Sequence, residues 1–114
     1  MAASRGEIWV ADLDPTRGHE QAKTRPCIVV SDDRFNRSAS GLVVVVPLTT
    51  VGRGIPWHVR VGPEGGGVRE DSFAMADQVR AVSRGRLIGD PWGRVSAAVM
   101  AAIEERLRLL LGLV

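Results

Sequence analysis

Apolar residues along the chain fall mostly into short runs, broken by polar stretches rich in glycine and proline, and such runs suit strands. Residues 7–13, EIWVADL, read as a strand with Ile8 and Val10 turned inward and Leu13 a third candidate. DPTRGHEQAKTRP, residues 14–26, has no apolar period and reads as a loop, long enough in a small chain to point to function. Pro26 holds Arg25 extended and opens a second strand, CIVVS, at 27–31. Residues 32–41 are polar and turn-like. LVVVVPL, 42–48, is continuous and β-branched, which predicts burial on both faces, with Pro47 forcing a bulge or an end near Thr49.

WHVRV at 57–61 alternates, with Trp57, Val59 and Val61 on one face. GPEGGGVRE, 62–70, reads as a flexible loop, and SFAMA (72–76) and QVRAV (78–82) as strands parted at Asp77. The period then changes. Val99, Ile103, Leu107, Leu110 and Val114 recur at helical spacing, Ser96 is a plausible N-cap, and Met100 and Leu111 widen the stripe. Glu104, Glu105 and Arg108 fall on the water side, and Leu109 lies off the stripe. Five or six strands followed by a helix predict a mainly β fold, a small barrel with a C-terminal helix packed on it, built as one domain over 1–114.

Composition narrows the chemistry. The chain has 114 residues, 45% apolar and 25% charged, an ordinary globular balance too short for a doubly wound nucleotide enzyme or a (β/α)₈ barrel. No secretory signal or membrane span is visible, so a cytoplasmic location is expected. One cysteine and two histidines provide neither an internal disulfide nor a Cys/His zinc cluster, so neither metal nor cofactor is expected. Of 15 basic residues only Lys23 is not arginine; guanidinium forks suit phosphate, although the charge is spread along the chain and any basic surface must be assembled by folding.

GPEGGG lacks the Gly-Lys-Ser/Thr ending of a phosphate loop and reads as a hinge or loose tip. Cys27, at the start of an apolar strand, reads as an inert buried thiol. The first loop is more informative, because His19, Glu20, Lys23 and Arg25 together offer a proton carrier, a polar orienter and phosphate-binding cations. Thr49 and Thr50 could add hydroxyls. Taken alone, the same residues also describe a solvated charged loop.

GEIWVADLDPTRGHEQAKTRPCIVV, then FNR at 35–37, VVPLTT at 45–50 and MADQVR at 75–80, resembles in order the MazF/PemK family of toxin endoribonucleases. The resemblance runs from Arg5 to the terminal helix. It implies an SH3-like β-barrel of the MazF/CcdB type, a cytoplasmic homodimer, metal-independent cutting of single-stranded RNA at short sequences, and a cognate antitoxin. The antitoxin is expected to carry an acidic tail, and contact with operator DNA is expected only through the toxin–antitoxin complex. By position, the resemblance assigns Arg25 and Thr49 as catalytic, with Glu20, His19 and Asp77 in catalytic roles in some members. Met75 stands where PemK-like members carry an arginine partnered with that aspartate, which shifts weight from Asp77 to Arg25, Thr49 and Glu20. Thr24 replaces a histidine found in some relatives.

The chemistry implied is attack of the RNA 2′-hydroxyl on its own phosphate. Arg25 would stabilise the phosphorane, Thr49 would hold an oxygen, and Glu20 or His19 would move protons. With three Trp, two Phe and no Tyr, base recognition is expected to lean on Asn36, Gln78 and Arg80, with Lys23 and Thr50 also contacting the strand. Alternatives are a non-cleaving, CcdB-like gyrase poison or an SH3-like nucleic-acid-binding module.

Overall fold

The computed structural model describes residues 3–14, 17–19 and 23–113. Seven antiparallel strands occur: β1 (Glu7–Asp12), β2 (Thr24–Val29), β3 (Leu42–Thr49), β4 (His58–Val61), β5 (Ser72–Met75), β6 (Arg80–Ser83) and β7 (Leu87–Arg94). A single helical turn, α1 (Asp33–Asn36), joins β2 to β3, and the chain ends in α2 (Ala97–Leu110). Strand order is β4-β5-β3-β2-β1-β7, with β6 paired to the first half of β3. The path does not close, yet Val59 and Val61 of β4 share one core cluster with Ile8 of β1, so its two ends wrap around common side chains in a barrel-like way.

The central strands explain the burial. Alternation puts Ile8, Ile28, Val46 and Leu48 on one face and Trp9, Ala11, Cys27, Val29, Val43 and Val45 on the other, each face covered by its own cluster. Both sides of β3 are therefore core, as its unbroken Val run predicts. In β1 the expected inward set changes: Leu13 joins Trp9 and Ala11 on the face opposite Ile8, and Val10 is only half-buried. Along its outer edge β3 pairs with β6 at Leu42–Val45 and with β5 at Leu48–Thr49, so Pro47 sits where the partner changes and the strand ends at Thr49.

Helix α2 covers the first face. Ser96 caps it by accepting the Val99 N–H at 3.2 Å, Ile103 is fully buried, and Val99, Met100, Ala102 and Leu107 pack around it. Leu111 is exposed and does not widen the stripe, while Val114 lies outside the described residues. Glu104, expected in water, reaches the chain start and pairs with Arg5, whose guanidinium also donates to the Val30 carbonyl. Among the described residues no helix is long and apolar enough to cross a membrane.

Three local readings change. The polar stretch 32–41 contains α1, capped by Asp32 through the Arg34 N–H at 2.8 Å. Arg34 holds the Asp32 carboxyl down to about 2, and the Arg5 N–H, at 2.7 Å, lowers that of Asp33. Strand β7, hidden in sequence by Gly89, Pro91 and Gly93, is the seventh strand and pairs with β1. The glycine segment is not a loose tip. Gly66 and Gly67 adopt φ of +88° and +87°, and a Cβ on Gly67 would stand 2.6 Å from Ile8 Cδ1, so this loop is seated on β1 and β7.

Candidate active site

Antiparallel pairing sets Cys27 opposite Pro47, and continuing that register two residues outward brings Arg25, early in β2, alongside Thr49, the last residue of β3. Both line a cleft of about 360 Å³ with Lys23, Thr24 and Thr50. The Arg25 guanidinium has no hydrogen bond or ion pair with any described residue, which leaves its donors to the cleft. The Thr49 Oγ1 accepts the Val51 N–H at 3.2 Å, which fixes the oxygen and leaves its own proton to donate. Lys23 adopts φ +65°, held by its N–H to Asp14 Oδ1 at 2.8 Å and by its carbonyl, which accepts the Leu13 N–H at 2.8 Å. Two cations, four hydroxyls (Thr24, Thr49, Thr50 and Ser72) and no carboxylate among the described lining residues make the cleft a site for an anion.

Behind Arg25, burial pushes the Cys27 thiol up to about 12, while the charges of Arg80 and Arg25 pull it the other way. The sulfur is inert at neutral pH, as its sequence context predicts. Arg80 also donates to the Leu13 carbonyl at 3.3 Å, and Gln78 donates to the His19 carbonyl at 3.4 Å, so both brace the β1–β2 loop.

Among the five catalytic candidates, then, Arg25 and Thr49 are brought together and His19 is exposed on the neighbouring loop. Glu20 lies outside the described residues. Asp77 does not line the cleft; its Oδ1 is 3.5 Å from Nε2 of His58. The His58 side chain is 6% exposed and its Nδ1 is buried without a hydrogen-bond partner. His58 is the neighbour that Asp77 has in place of an arginine, and within the alternating WHVRV run it reads only as one more strand position. Met75 is core.

Among the binding candidates, Lys23 and Thr50 line the cleft. Asn36 is a correction. It is fully buried, its Nδ2 donates to the Ser31 carbonyl at 3.0 Å and to Asp33 Oδ1 at 3.2 Å, and its Oδ1 accepts from the Ser31 hydroxyl. Ser31 in turn accepts the Val44 N–H, five strand residues and roughly 17 Å from Thr49. The Asn36 amide holds the β2–β3 connection and is not presented to a ligand.

Through Pro26, Thr50 and Ser72 the cleft continues into a larger one of about 590 Å³, which sequence reasoning did not single out.

Fold and cleft together define a small β-rich domain that presents an anion site at the ends of two neighbouring strands. Residues 4–111 match the family of PemK-like, MazF-like toxins of type II toxin–antitoxin systems, and the chain belongs to that family. It is similar to the endoribonuclease MazF9 of Mycobacterium tuberculosis, 43% identical with 96% of each chain covered. Its structure is similar to MazF from Deinococcus radiodurans, with a TM-score of 0.86 at 28% identity and 98% of each chain covered. An endoribonuclease solved with its cognate antitoxin, from a mycobacterial species, superposes with a TM-score of 0.80 at 32% identity, covering 99% of this chain and 98% of that one.

Proposed function

We propose that this chain is the toxin of a type II toxin–antitoxin pair and cuts single-stranded RNA at a phosphodiester held between Arg25 and Thr49. The observation that carries this reading is that Arg25, unpaired with any described residue, and Thr49 line one cleft with no carboxylate among its described lining residues, in a chain whose relatives are named endoribonucleases.

The 2′-hydroxyl attacks the adjacent phosphorus, its proton passes to a base, and the 5′-oxygen leaves with a proton from an acid. Arg25 offsets the charge that accumulates on the phosphorane oxygens, because a guanidinium stays charged and can clamp two of them. Thr49 and Thr50 donate to the same phosphate. The proton transfers fall to the β1–β2 loop, where His19 and Glu20 are the candidates. Lys23, Gln78 and Arg80 hold the strand, Gln78 and Arg80 also bonding the His19 and Leu13 carbonyls after β1. None of these steps requires a metal-activated water.

Two copies pair, and a cognate antitoxin with an acidic tail occupies the cationic cleft, so that operator DNA is reached only through that complex. No observation favours the gyrase-poison or binding-module alternatives.

The test is cleavage of a short RNA in excess EDTA, with mass spectrometry of the fragments. A 2′,3′-cyclic phosphate and a 5′-hydroxyl are expected, and deoxyribose at the cut should stop the reaction. A 5′-phosphate, or efficient cutting of the deoxy-substituted strand, overturns the mechanism.

A further inference from the structure

We infer that the larger cleft beside Arg25 and Thr49 is a guanine-selective subsite in which Trp92 stacks on the base next to the scissile phosphate while Glu70 and Arg69 read its edge. This inference rests on the endoribonuclease reading and adds to it the residues that select sequence.

Trp92 is held out by construction. Strand β1 pairs Ile8 with Gly93 but Val10 with Ile88, so residues 89–92 of β7 bulge opposite the single residue Trp9. The bulge leaves Trp92 50% exposed, and the residue lines the second cleft. A half-exposed indole beside a polar cleft suits a nucleobase, because bases are recognised by stacking on such rings.

The opposite wall is equally fixed. Gly66 would place a Cβ 2.9 Å from the Arg94 carbonyl oxygen, and Gly67 packs on Ile8, which seats the β4–β5 loop against β7. That loop sets Arg69 and Glu70 in the cleft with Trp92. Neither side chain forms a hydrogen bond or ion pair with a described residue, whereas nearby Arg60 is taken up by Glu64 and Asp71. A free carboxylate and a free guanidinium beside a stacking ring match guanine, whose edge combines N1–H and N2–H donors with O6 and N7 acceptors. Adenine would set its amino donor toward the arginine, and uracil offers less stacking area. Because Pro26, Thr50 and Ser72 line both clefts, a strand whose phosphate sits between Arg25 and Thr49 runs directly into this one.

Two readouts test it. Binding is measured by fluorescence anisotropy on oligonucleotides made uncleavable by a single deoxyribose, carrying guanine, adenine, uracil or cytosine beside the cut. Cleavage of a randomised RNA pool is read by sequencing. Trp92→Ala should weaken binding of the guanine strand roughly 5- to 150-fold, raising KM more than it lowers kcat, and Trp92→Phe should recover most of it. Glu70→Ala should flatten the guanine preference in both binding and cut sites. Equal binding of all four strands by the unaltered protein, or Trp92→Ala and Glu70→Ala proteins with unchanged binding and unchanged cut sites, overturns the subsite and leaves the endoribonuclease reading standing. Guanine-dependent binding through Trp92 without any cleavage would uphold the subsite and sink that reading instead.

Discussion

Arg25 and Thr49 meet the phosphate with different chemistry, a delocalised cation and a neutral donor, and their loss should be felt in the rate rather than in folding. Arg25 is only half-buried and Thr49 closes a strand. Arg25→Ala and Thr49→Val should each lower cleavage by roughly 100- to 1,000-fold; calorimetry should find the Arg25→Ala midpoint close to the parent and a small drop for Thr49→Val, which takes the acceptor from the Val51 N–H. Asp77→Asn should cost less than either, because its neighbour is His58 and it stands outside the cleft. A second residue-scale test concerns Cys27. Its thiol should resist iodoacetamide at pH 8 in the folded protein and react on denaturation. With the native thiol near 12 and the unfolded one in the ordinary range, the unfolded chain ionises first. Stability should therefore fall as pH rises between those values, and Cys27→Ala should remove that slope in a pH series of melts. Arg25 and Thr49 could be nominated from sequence because the resemblance to the MazF/PemK family assigns both by position, while residue type alone left a solvated charged loop open. The burial of Asn36, the His58–Asp77 contact and the place of Trp92 could not, because each depends on which strands the chain brings side by side.

Among the elements, legibility follows periodicity. β3 and α2 carry strong apolar repeats and were visible, the latter with its Ser96 cap. β7 was not, because Gly89, Pro91 and Gly93 supply the bulge that strand needs and read locally as turn residues. The GPEGGG loop misled for the same reason: glycine marks either freedom or close approach, and only the neighbours decide. Here the neighbours are Ile8 and the Arg94 carbonyl. Gly67→Ala should consequently destabilise the protein by roughly 1–3 kcal/mol in urea titrations, through a left-handed backbone and overpacking together. An unchanged unfolding midpoint would show that the loop yields.

For the whole molecule, the outer side and end of α2 matter most. Leu109, Leu111 and Leu113 stand 62%, 60% and 60% exposed, an apolar surface that one copy leaves uncovered. A two-fold dimer is expected, and light scattering at micromolar protein should report twice the 12.3 kDa chain mass. Leu109→Glu should shift the population toward monomer if this surface joins the copies. The antitoxin surface is expected elsewhere, over the cationic cleft, so its affinity should weaken with added salt while the leucine contact is nearly indifferent to it.

The Ile103 side chain, contributed by the final helix, lies in the same cluster as Ile8 and Ile28 from the first two strands. During synthesis those early strands must wait for the chain's last turns before their face is sealed from water. A ribosome still translating the helix thus holds an unfinished enzyme. The same dependence predicts the genetics. A stop codon introduced just before Ala97 leaves Arg25 and Thr49 intact but should abolish RNA cleavage by the expressed protein, so inactivating truncations should map far from the cleft.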